Sequence, residues 1–237
     1  MAGLAAPDRL IVALDVPSTD EALALVDRLG ESASLYKIGL QLFPVGGVEL
    51  ASTLVARQKK VFLDFKFYDI GTTVRNAVVS AAGIGASFLT VHGSGDIVAG
   101  AVAGRGNSSL KLLAVTVLTS MDEKSLKELG YEGRVSDLVL ARARLALDAG
   151  ADGIVASARE AELLRRELGK GFIVVTPGIR SPGVPEDDQK RISTPYDAIL
   201  AGADYLVVGR EITRADDPAS AALRVVTQIE KALAETA

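Results

Sequence analysis

Residues 135–168 read VSDLVLARARLALDAGADGIVASAREAELLRREL, and this stretch decides the fold. Apolar residues recur at three- and four-residue spacing from Val135 to Ala149, which predicts an amphipathic helix. Ala149-Gly150 stops it, because glycine accommodates the left-handed turn past a helix end. Gly153–Ala156 is then a short, continuously apolar run, the mark of a strand buried on both faces. A second helical pattern, Ala158–Leu168, follows at once. Helix, strand and helix in this order form the repeat of a parallel β/α protein.

The same unit recurs outward in both directions. Strands are expected at Leu10–Leu14, Leu35–Ile38, Val61–Phe65, Ser87–Val91, Leu112–Val117, Gly153–Ala156, Phe172–Thr176 and Tyr205–Val208. Helices are expected at Thr19–Leu29 behind a Ser18 cap, at Thr73–Ala82, Pro195–Ala201, and from Pro218 to about Leu233. Further stops stand at Leu29-Gly30, Ala82-Gly83 and Ala201-Gly202. Eight such units in 237 residues predict an α/β chain folded as a (β/α)8 TIM barrel. It is read as a single domain over 1–237, with residues 1–8 a short N-terminal extension. An open doubly wound sheet is the alternative. No Gly-x-Gly-x-x-Gly follows the first strand, which runs into Ala13-Leu14-Asp15-Val16-Pro17. Two stretches interrupt the rhythm and are read as long loops, Thr119–Gly133 and the Gly/Pro-rich Pro177–Thr194.

Composition narrows the chemistry. Apolar residues at 49% and charged residues at 24% suit an ordinary globular chain, and the net charge of -4 lacks the basic footprint of a nucleic-acid binder. With no cysteine, thiolate and disulfide chemistry are excluded. One histidine, His92, rules out a multi-histidine metal site. No apolar run is long enough to span a membrane, and MAGLAAPDRL does not read as a secretory signal. The expected location is the cytoplasm.

In a barrel, residues at the C-terminal strand ends converge on one mouth. The third strand delivers Asp64-Phe65-Lys66-Phe67-Tyr68-Asp69, two carboxylates and an ammonium after the apolar Val61-Phe62-Leu63. Strand alternation puts Asp64 and Lys66 on one face, with Asp69 just past the strand. Asp15 ends the first strand, Lys37 lies in the second, Thr119 and Ser120 follow the fifth, and Arg180 follows the seventh. Lys37, Asp64, Lys66 and Asp69 together read as a charge array, because each opposite-charge pair at about 4 Å is worth roughly 4 kcal/mol at an effective dielectric of 20. His92 is read as structural, next to the tight turn Gly93-Ser94-Gly95. Gly209-Arg210 after the eighth strand reads as a phosphate grip, where such barrels often bind phosphate.

These residues resemble the orotidine 5′-phosphate decarboxylase family over nearly the whole chain. The resemblance rests on Leu14-Asp15, Lys37-Ile38-Gly39, Asp64-Phe65-Lys66-Phe67-Tyr68-Asp69-Ile70, Val91-His92-Gly93, residues 115–120 (VTVLTS), Thr176-Pro177-Gly178-Ile179-Arg180, Asp188-Gln189 and Val208-Gly209-Arg210. It implies a homodimer whose active sites sit at the subunit interface, orotidine 5′-phosphate as substrate, UMP as product, and no cofactor or metal. It implies that Lys66 donates the proton, flanked by Asp64 and Asp69, with Lys37 completing the array. It further implies that Asp69 and Thr73 reach the neighbouring subunit's site and that Asp15 and Lys37 hold the ribose. Thr119 or Ser120 would contact the pyrimidine, and Gln189, Arg210, Gly209 and Arg180 would grip the phosphate. The Asp-x-Lys-x-x-Asp core is shared with a metal-dependent 3-keto-sugar-phosphate decarboxylase branch, which is the first alternative. A non-catalytic phosphate-binding barrel is the second.

Overall fold

The computed structural model describes residues 3–182 and 193–236. Eight parallel strands close into a barrel in sequence order: β1 (Leu10–Ala13), β2 (Leu35–Gly39), β3 (Lys60–Phe67), β4 (Phe88–His92), β5 (Lys111–Val115), β6 (Gly153–Val155), β7 (Ile173–Thr176) and β8 (Tyr205–Val208). The ring shuts where Ile11 of β1 lies beside Leu35 of β2 on one side and Val207 of β8 on the other. This is the (β/α)8 barrel expected from the repeat, and the open sheet is set aside.

Ten α-helical segments occur among the described residues: α1 (Thr19–Leu29), α2 (Gly47–Ala56), α3 (Gly71–Gly83), α4 (Gly95–Arg105), α5 (Glu123–Glu128), α6 (Val135–Asp148), α7 (Ala158–Leu168), α8 (Pro195–Leu200), α9 (Arg210–Thr213) and α10 (Pro218–Thr236). The local signals behind them are physical. The Ser18 hydroxyl accepts from the Glu21 amide at 3.2 Å and caps α1, whose Ala22, Leu25, Val26 and Leu29 are buried on one stripe. Glu160 accepts from the Ser157 amide at 2.8 Å at the start of α7.

Two apolar layers hold the fold. The barrel interior below the mouth is filled from alternate strand residues, including Ile11, Leu35, Phe62, Phe88, Leu113, Ile173 and Val207. Phe88 packs edge-on against Phe62 at 6.0 Å and Tyr205 at 5.1 Å between ring centroids, closing the N-terminal end. The outward-facing set, Val12, Tyr36, Leu63, Leu89, Leu112, Ile154, Val174 and Leu206, meets the helices.

Three departures from the expected elements have clear causes. Helices α2 and α4 carry no strong sequence signal; α4 contains Gly95, Gly100 and Gly104, which lower its propensity. Glycine is needed there because a β-carbon at 100 or 104 would run into the backbone carbonyls of Gly71 and Arg75 on α3. The stretch expected as the loop Thr119–Gly133 holds α5, whose Asp122 carboxylate accepts from the Ser125 amide at 2.9 Å. The segment expected as an extension includes a 3-10 turn at Ala6–Arg9, with Asp8 paired to Lys60 at 2.9 Å.

Candidate active site

β2 and β3 bring the central charges together. Lys37 projects inward from β2, its side chain only 10% exposed, and its ammonium lies 3.1 Å from Asp15 and 3.5 Å from Asp64. Asp64, with a side chain 15% exposed, also accepts from the Lys66 ammonium at 2.7 Å. Asp15, Lys37, Asp64 and Lys66 thus form one continuous chain of alternating charge. Gly39 makes room for it, since a β-carbon there would stand 2.9 Å from the Lys37 Nζ.

Plain strand alternation does not explain the convergence of Asp64 and Lys66. Between Leu63 and Phe67 the register against β4 shifts: Leu63 faces Leu89 and Phe67 faces Val91, so β3 spends two more residues than its neighbour. Lys66 takes φ +50, a left-handed conformation rare for a residue with a side chain. Such a conformation costs on the order of 1–3 kcal/mol and persists where surrounding contacts enforce it. The Lys66 amide donates to the buried Thr90 hydroxyl at 2.9 Å, and that hydroxyl lies 3.0 Å from Asp64 Oδ1. Thr90 was not singled out from the sequence. Its placement two residues from both Phe88 and His92 on an inward-facing strand is the signal that finds it.

Burial by itself would raise the Asp64 carboxyl, but the ammoniums of Lys37 and Lys66 and the hydrogen bonds from Lys66 and Thr90 hold it below its ordinary value. Asp64 is therefore an ionised anchor. His92 moves in the other direction from a cation: burial, then the charges of Arg142 and Lys66, push its imidazole below the usual value. Its ring packs on Tyr68 at 4.6 Å between centroids.

The array divides the mouth into two connected cavities. One, of about 450 Å³, is lined by Asp15, Lys37, Gln41, Arg180, Gly209, Arg210 and Arg214 among others. The second, of about 150 Å³, has Lys37, Asp64 and Lys66 on one side and Phe62, Val115, Val117, Leu118, Thr119 and Val207 around them. A polar anionic group fits the first and a flat, mostly apolar ring the second. Gln41 and Arg214 add to the wall of the polar lobe from loop positions that carry no sequence pattern.

The remaining expected residues do not all reach the two cavities. Arg180 is buried, and its backbone bridges to Ser193 across the base of the long β7 loop. Gly209 and Arg210 start α9, and Glu211 of that helix accepts from the Ser181 amide at 2.8 Å. Ser120 and Thr73 are exposed, outside both cavities. Gln189 lies outside the described residues. Among the described residues Asp69 makes no ion pair with Lys37 or Lys66 of its own chain. β3 ends at Phe67, so Asp69 stands past the mouth, where its carboxylate accepts from the Ile70 amide at 2.7 Å.

Comparison with known proteins bears on this geometry. The model of the "Orotidine 5′-phosphate decarboxylase / HUMPS family" matches residues 8–225. An orotidine 5′-phosphate decarboxylase of Nitrobacter winogradskyi is 53% identical over 228 residues, 96% of this chain and 95% of that protein. One from Rhodopseudomonas palustris strain BisB5 is 53% identical over 225 residues, 95% of this chain and 96% of the relative. Among solved structures, the orotidine 5′-phosphate decarboxylase of Lactobacillus acidophilus superposes with a TM-score of 0.82 at 34% identity, covering 92% of this chain and 97% of that one.

Proposed function

The chain belongs to the orotidine 5′-phosphate decarboxylase / HUMPS family, and we propose that it converts orotidine 5′-phosphate to UMP and CO2 in pyrimidine biosynthesis, with Lys66 as proton donor and no cofactor. The observation that carries this reading is the alternating Asp15–Lys37–Asp64–Lys66 chain at the junction of a polar and an apolar cavity.

Breaking the C6–CO2 bond leaves its electron pair on an sp2 ring carbon that has no conventional sink. A fixed ammonium aimed at that carbon favours the developing charge more than it favours the substrate. In this reading the pyrimidine enters the smaller cavity, CO2 departs, and Lys66 Nζ gives its proton to C6. Solvent then restores the proton on the neutral amine. Asp64, held by two ammoniums and a hydroxyl, cannot swing away from an incoming substrate carboxylate, so it loads the ground state. Thr119 faces the ring, with Ser120 beside it in sequence. Asp15 and Lys37 take the ribose hydroxyls. Arg210, Gly209 and Arg180, with Gln189, take the phosphate, whose binding energy supports reaction at the distant carbon.

A homodimer with shared sites fits the surface beside the mouth. Tyr68 and Ile70 are 72% and 73% exposed, and Leu40 and Phe43 are exposed as well. Large apolar groups this open suit a partner surface. Asp69 and Thr73 stand among them, so a second copy seated there receives both. The test is to mix inactive Lys66→Ala and Asp69→Ala dimers. Each hybrid holds one intact site, so about a quarter of wild-type activity returns at equal mixing. No recovery, with subunit exchange verified, refutes the shared site.

The deciding experiment for the reaction is absorbance loss on orotidine 5′-phosphate with and without EDTA. Turnover that survives EDTA is expected. Activity confined to a keto-sugar phosphate with added magnesium assigns the chain to the metal-dependent branch. Absence of turnover on both leaves a phosphate-binding barrel.

A further inference from the structure

We propose that Thr90 is the positioning residue that sets the reactive pose of Lys66. The inference rests on the reading of Lys66 as proton donor and adds how the chain holds that lysine.

Three hydrogen bonds close a ring around one residue. The Lys66 amide donates to Thr90 Oγ1 at 2.9 Å, Thr90 Oγ1 donates to Asp64 Oδ1 at 3.0 Å, and Lys66 Nζ donates to the same Asp64 oxygen at 2.7 Å. Backbone and ammonium of Lys66 are therefore tied to each other through a single hydroxyl. A hydroxyl has one proton to give, and the alternative acceptor, the Leu63 carbonyl, is farther at 3.5 Å. Thr90 is completely buried.

The need for such a tie comes from the backbone. Lys66 sits at φ +50 inside the register shift of β3, where regular ladder pairing does not set its direction. Because β4 is regular at Leu89 to Val91, Thr90 supplies a fixed reference on the neighbouring strand. The oxygen that receives the strained amide also orients the carboxylate that receives the ammonium. Valine has the shape of threonine and can make neither of the two bonds that use its hydroxyl.

The test compares Thr90→Val, Thr90→Ser and Thr90→Ala for kcat, KM and UMP affinity. Loss of an ångström-scale placement predicts a kcat lowered about 30- to 100-fold in Thr90→Val, with KM and the UMP Kd within about threefold. Thr90→Ser should stay within about fivefold of wild-type kcat, because the hydroxyl remains. Serine and alanine at 90 differ by one oxygen, so Thr90→Ala should fall with Thr90→Val even if the valine variant folds poorly. UMP binding reports that the site is formed. Wild-type kcat in Thr90→Val, equal loss in the serine and alanine variants, or UMP affinity falling in step with kcat would each overturn the proposal. A silent Thr90→Val beside an inactive Lys66→Ala removes only the positioning role. Turnover retained in Lys66→Ala removes the proton-donor reading itself.

Discussion

Lys66→Ala is expected to lower kcat by at least about 10⁴-fold, since one group supplies both the proton and the positive charge facing the carbanion. The measurement is the absorbance loss of orotidine 5′-phosphate under saturating substrate. UMP should still bind within about threefold, because the phosphate and ribose contacts lie in the other cavity. The fold should persist: alanine keeps the β-carbon, so the left-handed backbone is no worse, and the amide bond to Thr90 remains available. Asp64 retains Lys37 and Thr90 as partners. A kcat within tenfold of wild type would remove Lys66 from the chemistry.

Asp64→Ala should cost both activity and stability. The substitution leaves Lys66 without its counter-charge, Thr90 with only the Leu63 carbonyl at 3.5 Å, and Lys37 with Asp15. Removing one member of a buried ion pair is strongly destabilising. The retained Lys37–Asp15 pair and the 28% exposure of the Lys66 side chain place the expected loss at about 2–3 kcal/mol. For a chain of this size that is a fall in Tm of roughly 4–12 °C. The pH dependence has a definite sign. The folded-state carboxyl titrates below its unfolded value of about 4, so the stabilisation is complete above that pH. It disappears as pH falls through the lower, folded-state value. Thermal unfolding of wild type and variant should differ fully at neutral pH and converge only in acid below about pH 4. A gap that is already closed at pH 6 would show that Asp64 is not the charge anchor.

The barrel was legible because its signals are local and repeated. Ala149-Gly150 marks a helix end and Gly153–Ala156 a strand whatever lies elsewhere in the chain, and eight such units leave few architectures open. Helix α4 was not legible, because its glycines are chosen for the approach of α3, a contact that propensity does not contain. The site divides in the same way. Residues at strand ends were found by position, since Lys37 lies in the regular β2, Asp64 still pairs in register with Gly39 of β2, and Asp15 follows the end of β1 by two residues. Thr90 escaped because a threonine in an apolar strand reads as core until its neighbours are known.

The sequence by itself determined the repeat, the strand that carries Asp64 and Lys66, and the family resemblance of the motifs around them. Those follow from periodicity, from glycine stops and from residue types at strand ends. Only the tertiary structure decided how the charges meet. The two extra residues in β3 and the left-handed turn at Lys66 depend on pairing with β4, which no spacing encodes. The same pairing ends β3 at Phe67 and leaves Asp69 outside its own chain's array. It also puts a buried hydroxyl between the Lys66 amide and the Asp64 carboxylate.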